Sequence, residues 1–149
     1  MTAAFEIAGI AGMLFTGWAT DRFFGGRAAR VCLLCMVFAT AFITLFWLLP
    51  LPPSAMTLLL MGAGFCIYGP QALCAPLMAN LVTRRGAASA VGVTSLFAYG
   101  STVFSGWGLG LLADTCGWSA VFACLCAAGL VGVAAWLPLW RAKAHNYAT

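Results

Sequence analysis

Residues 31–83 read VCLLCMVFATAFITLFWLLPLPPSAMTLLLMGAGFCIYGPQALCAPLMANLVT, and no charged side chain interrupts them. A hydrocarbon core of about 30 Å is crossed by about 20 apolar residues in a helix, so the run is long enough for two crossings. Leu49-Pro50-Leu51-Pro52-Pro53-Ser54 divides it near the middle, because consecutive prolines cannot continue a helix. The stretch therefore reads as two membrane-spanning helices joined by a tight turn.

The same arithmetic extends in both directions. Residues 7–20, 86–113 and 115–140 are also free of charge. The first window reaches spanning length only when the residues back to Thr2 join it, Glu6 included. Five helices are expected, at about 3–20, 29–49, 55–79, 88–112 and 119–140. The connections would be 21–28, 50–54, 80–87 and 113–118, with a polar tail from Arg141 to Thr149. A transmembrane β-barrel would show alternating segments of about 10 residues, and these runs do not alternate. The expected fold class is an all-α polytopic membrane protein with a single membrane domain over residues 1–149.

Composition excludes the main rivals. Of 149 residues, 64% are hydrophobic and 7% are charged, against about 25% charged in soluble domains. So few charges cannot cover a water-facing surface, and disorder requires low hydrophobicity. The single histidine, His145, sits near the end, and Glu6, Asp21 and Asp114 are the only carboxylates. No nucleophile triad, phosphate-cradling glycine loop or metal-protease motif is present, so the sequence gives no support to an enzyme and calls for no cofactor.

The seven cations set the topology. Arg22, Arg27 and Arg30 fall between spans one and two, Arg84 and Arg85 between three and four, and Arg141 and Lys143 after span five. All lie on alternate connections, hence on one face. Lys and Arg are retained on the cytoplasmic side, so the N-terminus is expected outside and the C-terminus in the cytoplasm, in a multi-pass inner-membrane protein. The net charge of +4 is what this topology demands, and no aromatic-interleaved basic face suggests nucleic acid. Span one begins almost at Met1 without a basic segment before it, a poor secretory signal. An odd number of spans with an outward start is the expectation for a fragment of a longer protein.

The most specific motif is Gly17-Trp18-Ala19-Thr20-Asp21-Arg22-Phe23-Phe24-Gly25-Gly26-Arg27. Gly17 would let a neighbouring helix approach closely. Asp21 can accept a charge-assisted hydrogen bond from Arg27 or from another helix. Gly25 and Gly26 permit a tight turn with positive φ. A positive-inside loop with a turn would need far less particular spacing.

This loop resembles the signature loop of the major facilitator superfamily of transporters, where it follows the second helix of each six-helix half. Phe5-Glu6-Ile7-Ala8-Gly9-Ile10-Ala11-Gly12 is similar to the eighth helix of the organophosphate:phosphate antiporters. Gly64-Phe65-Cys66-Ile67-Tyr68-Gly69-Pro70-Gln71 is similar to their tenth, and the stretch from Ala87 to Gly100 to the start of their eleventh. Asp114-Thr115-Cys116-Gly117-Trp118-Ser119 resembles the turn before their twelfth. The resemblance covers nearly the whole chain and implies helices eight to twelve of a twelve-helix carrier. It further implies uptake of an organic phosphate, such as a sugar phosphate or glycerol phosphate, against outward-moving inorganic phosphate. Alternating access between the two halves would drive the exchange, and the missing N-terminal half would be a partner. In the family the phosphate-gripping arginines come from the first and seventh helices, which lie outside this chain. Composition agrees, since spans two to five hold no mid-membrane cation for a dianion. The fragment alone is thus expected to be inactive.

Further residues stand out, each with two readings. Glu6 is either an intramembrane carboxylate that pairs with a basic residue on another helix, or a charge held at the outer interface. In span three, Pro70 removes a backbone donor. With Tyr68 and Gln71 beside it, the break either lines a substrate path or is a packing kink. Ser95, Tyr99, Thr102 and Ser105 are spaced along one face of span four. Tyr99 reads better as cavity lining and Ser105 as interhelical glue. Gly106-x-x-x-Gly110 is a common packing motif. Cys32-x-x-Cys35 lacks further ligands nearby, so it reads as buried apolar packing rather than a metal site. Asp21, Arg22 and Arg27 would form a cytoplasmic gate. Rival readings are a hexose-phosphate sensor of the same fold, an inactive remnant, and a facilitator for another substrate.

Overall fold

The computed structural model describes residues 2–81 and 86–141. Arg84, Arg85, Lys143 and His145 lie outside the described residues. Five helices follow one another: α1 Thr2–Phe23, α2 Ala28–Leu48, α3 Pro53–Leu81, α4 Ala87–Cys116 and α5 Trp118–Trp136, with a 3-10 turn at Pro138–Arg141. All five are long and apolar enough to cross a membrane. Lipid offers no hydrogen bonds to a backbone, so continuous helices satisfy these groups internally.

The helix ends follow local chemistry and shift several expected boundaries. α1 continues past residue 20 to Phe23, so Asp21 and Arg22 sit in its last turn, where Arg22 complements the negative end of the helix dipole. The chain then reverses through Gly25 and Gly26, at φ 55° and 77°, values that glycine adopts without the steric cost of a Cβ. α3 starts at Pro53 rather than 55, since a proline at the first helical position loses no hydrogen bond. α4 runs on to Cys116 and takes Asp114 into the helix, so the expected connection at 113–118 shrinks to Gly117 at φ 82°. α5 stops at Trp136 rather than 140, because Pro138 cannot sit in a helix interior.

Side-chain contacts give the arrangement. α2 and α5 are antiparallel. Trp47 Nε1 donates to Ser119 Oγ at 3.3 Å at one end, and Arg30 Nε donates to the Trp140 carbonyl at 3.3 Å at the other. Between these, the Phe46 and Phe122 rings lie 5.6 Å apart, and Thr44 Oγ1 lies 3.3 Å from Cys126 Sγ. α1 and α3 run parallel, with Phe5 against Gly64, Gly9 against Tyr68 and Thr16 against Gly69. α3 thus stands between α1 and α2, while among the described residues α4 touches only α3 and α5.

The core is thin and built from small groups: Ala28, Val31, Cys32, Cys35, Ala39, Cys66, Leu73 and Leu77. Cys32 and Cys35 are buried there as packing side chains. Leu14, Leu96, Phe104 and Trp107 are each more than 70% exposed. In water each would forfeit about 1.5–3 kcal/mol of burial, whereas lipid tails cover them at no such cost. Buried threonines donate to their own helix, Thr16 Oγ1 to Gly12 O at 2.7 Å and Thr20 Oγ1 to Thr16 O at 2.7 Å.

The closest helix approach is between α1 and α3. A Cβ at Gly12 would collide with the Phe65 carbonyl, and one at Gly64 would lie 2.7 Å from the Phe5 carbonyl oxygen. Backbone cannot yield as a flexible side chain can. By contrast, a Cβ at Gly17, Gly106 or Gly110 meets nothing within 4 Å. Within the described chain the close approach lies at Gly12 and Gly9, about one and two turns before Gly17, where none of these helices comes near. Gly12→Leu is expected to destabilise the chain by about 1–3 kcal/mol, read by SDS titration of helicity in mixed micelles. Gly106→Leu should change it by less than about 0.5 kcal/mol.

Candidate functional site

Two polar features lie on opposite sides of α3. On the α1 side the Tyr68 hydroxyl donates to Glu6 Oε2 at 2.6 Å. The Phe5 ring meets Tyr68 edge-on, with centroids 5.9 Å apart at 67°. Gly9 makes room for the phenol: a Cβ there would lie 2.6 Å from Tyr68 Cδ2. Tyr68 is close to the middle of the 29-residue α3. The length of the phenol carries its hydroxyl back to Glu6, which is only four residues into α1. A carboxylate within a membrane is costly, and a short phenol hydrogen bond, strengthened by charge, offsets part of such a cost.

On the α4 side a groove of about 400 Å³ opens between α3 and α4. Gln71, Ser95, Tyr99 and Thr102 line it together with Cys74, Thr94 and Ser101. The structure thus brings four of the five expected path residues together and sets Tyr68 apart on the other face. The lining face of α4 centres on Ala98, so Thr94 and Ser101 enter and Ser105 does not. Thr94 and Ser101 were legible as hydroxyls one residue to the side of the expected stripe, but spacing alone does not say how a helix is rotated against its neighbour.

The hydroxyls divide into two sets. Thr94 donates to Ala90 O at 2.8 Å, Ser101 to Ala98 O at 2.8 Å and Thr102 to Ala98 O at 3.0 Å. Ser105 donates to Thr102 O at 3.1 Å, within its own helix rather than across to another. Among the described hydrogen bonds none engages Gln71, Ser95 or Tyr99, and Tyr99 is 76% exposed. Three neutral donors are therefore available to a ligand, and among the described residues no cation lines the groove. Such a wall can orient a phosphate ester through its oxygens but cannot neutralise it.

The signature loop lies at the end of α1. Its turn is closed by backbone hydrogen bonds, Gly26 N–H to Thr20 O at 3.0 Å and Arg27 N–H to Phe24 O at 3.1 Å. Asp21 and Arg22 are exposed and Arg27 is half-buried. The Asp21–Arg27 hydrogen bond weighed from the sequence is not made among the described residues, which leaves Asp21 turned outward.

Comparison with known proteins gives one consistent answer. The chain is 32% identical to a probable hexose phosphate transport protein of Chlamydia pneumoniae over 95% of its own length and 32% of the relative's. It is 31% identical to the glycerol-3-phosphate transporter of Bacillus subtilis over 87% of its length and 30% of the relative's. It is 29% identical to the membrane sensor protein UhpC of Escherichia coli over 93% of its length and 32% of the relative's. The chain belongs to the organophosphate:phosphate antiporter family. It is an all-α membrane protein of that family and spans about a third of the length of the relatives it matches. No family model matches it, and no solved structure does.

The Glu6–Tyr68 bond ties α1 to α3 and invites a double-mutant cycle. Glu6→Gln and Tyr68→Phe are each expected to lower the melting temperature in detergent, and the double variant to fall no further than the worse single one. Additive losses would show that the two groups stabilise the chain separately.

Proposed function

We propose that these helices form helices eight to twelve of a carrier that exchanges an organic phosphate for inorganic phosphate across the inner membrane. In this reading the N-terminus faces outward, the C-terminus lies in the cytoplasm, and the five helices supply one wall of the path. The observation that carries it is the groove between α3 and α4, where Gln71, Ser95 and Tyr99 hold donors uncommitted to the protein. The names of the relatives, hexose phosphate and glycerol-3-phosphate transporters, support the substrate class. The cations that neutralise the phosphate come from elsewhere in the carrier, since none of the described residues lining this groove is a cation. Alone, the five helices are inactive in exchange. Glu6, held by one phenol, is suited to pair with such a cation when the substrate is absent. Asp21, Arg22 and Arg27 act as a cytoplasmic latch that a neighbouring helix engages, Asp21 being turned outward.

The test is phosphate-driven uptake of labelled glucose 6-phosphate or glycerol 3-phosphate into liposomes holding the carrier that contains this chain. Gln71→Leu and Tyr99→Phe should each raise KM about tenfold, the cost of one hydrogen bond of about 1.4 kcal/mol, with kcat less affected. Unchanged KM in both would refute the groove as the path.

Asp21→Asn should lower kcat with little change in KM, because the latch is remote from the groove and acts on the conformational cycle. An unaltered transport rate would remove the latch reading. A second reading, a sensor of hexose phosphate, draws on the alignment to the membrane sensor protein UhpC over 93% of this chain. Saturable substrate binding without exchange in the same liposomes would favour it.

A further inference from the structure

The corner where α2 begins and α5 ends carries an arrangement that neither the groove nor the latch uses. Arg30 is two residues into α2. Its guanidinium carbon lies 5.2 Å from the centroid of the Trp140 ring, and its Nε donates to the Trp140 carbonyl at 3.3 Å. Pro138 creates this contact, because the break after α5 turns the chain across the start of α2. With Nε engaged, no described hydrogen bond takes the two Nη groups, which form a planar fork, the geometry that matches two oxygens of a phosphate.

Beside this fork lies an apolar trough of about 610 Å³, lined by Leu33, Leu137, Pro138 and Trp140. Leu33 is one helical turn beyond Arg30, toward the middle of α2, so the trough continues from the charged rim into the depth of the membrane. Trp140 stands at the helix end, the level at which aromatic rings favour the headgroup region. Arg27 precedes α2, while α2, α5 and the 3-10 turn contain no Asp or Glu. The corner therefore joins a cationic rim to an apolar trough. A free phosphate would use only the rim, and a neutral lipid chiefly the trough.

We propose that this corner binds one anionic phospholipid, its phosphate on the Arg30 fork and an acyl chain in the trough beneath. The site is separate from the α3–α4 groove and stands whether or not the chain takes part in phosphate exchange. A bound lipid would hold the end of α5 against α2 at the basic face of the bundle.

The experiment uses the chain purified in mild detergent, with phosphatidylglycerol as the probe and phosphatidylcholine as the neutral control. Native mass spectrometry reads retained lipid, and thermal melting reads the stability it confers. The wild-type chain should retain one phosphatidylglycerol in preference to phosphatidylcholine and melt at a higher temperature in its presence. Arg30→Gln should lower phosphatidylglycerol affinity about fivefold, the effect of one interfacial cation. Arg22→Gln, a charge change on α1 away from the trough, should leave affinity as in the wild type. Trp140→Leu, which keeps the charge, should also weaken retention. Equal retention of both lipids would overturn the proposal. So would an Arg30→Gln chain that melts normally and binds phosphatidylglycerol as the wild type does. Displacement of the lipid by inorganic phosphate would show a simple anion site and overturn it as well.

Discussion

The backbone-to-backbone approach of α1 and α3 is the contact on which the rest of the arrangement depends. Between helices in lipid there is no hydrophobic drive to associate, so the stabilisation comes from close packing and from hydrogen bonds. Gly9, Gly12, Gly64 and Gly69 remove the side chains that would keep these two helices apart. The approach brings Glu6 within 2.6 Å of the Tyr68 hydroxyl. It also turns the opposite face of α3, with Gln71 and Cys74, toward α4. A wider crossing would leave the carboxylate without its phenol and rotate the groove lining away.

Polar groups are handled economically around this contact. Most threonines and serines return their protons to a carbonyl one turn back, as Thr16, Thr20, Thr40 and Thr102 do. These groups cost little in lipid and offer little to a ligand. Gln71, Ser95 and Tyr99 depart from the pattern, and they share one groove. Among the described residues, Glu6 and Arg30 are the two charges drawn into specific tertiary hydrogen bonds, one on α1 and one at the basic end of α2. The carboxylate depends on a phenol and the guanidinium on an indole and its carbonyl, in each case with an aromatic residue as partner.

Spans and turns were legible because they follow from local rules. Pro50, Pro52 and Pro53 stop one helix and start another, and Gly25 and Gly26 reverse the chain. The boundaries moved where a local exception applied: a proline at a helix start, a glycine that ends α4, and Pro138 cutting α5 short. The site was legible in part. Gln71, Ser95, Tyr99 and Thr102 meet in the groove, whereas Tyr68 belongs to the Glu6 side. Helical spacing places residues on a common face but does not say which neighbour that face meets.

Charge-free runs, prolines and the placement of basic residues determine, from sequence alone, an all-helical membrane chain of five spans. They do so because the hydrocarbon core penalises every unpaired charge and every open backbone group, whatever the helices pack against. The signature loop and its flanking stretches carried the family. Only the tertiary structure decided that Gly12 makes the close approach between α1 and α3, that Glu6 bonds to Tyr68, and that Arg30 lies over Trp140. Those pairings depend on the depth and rotation of each helix relative to its neighbours. Such quantities are set by many packing contacts at once and leave no local mark in the chain.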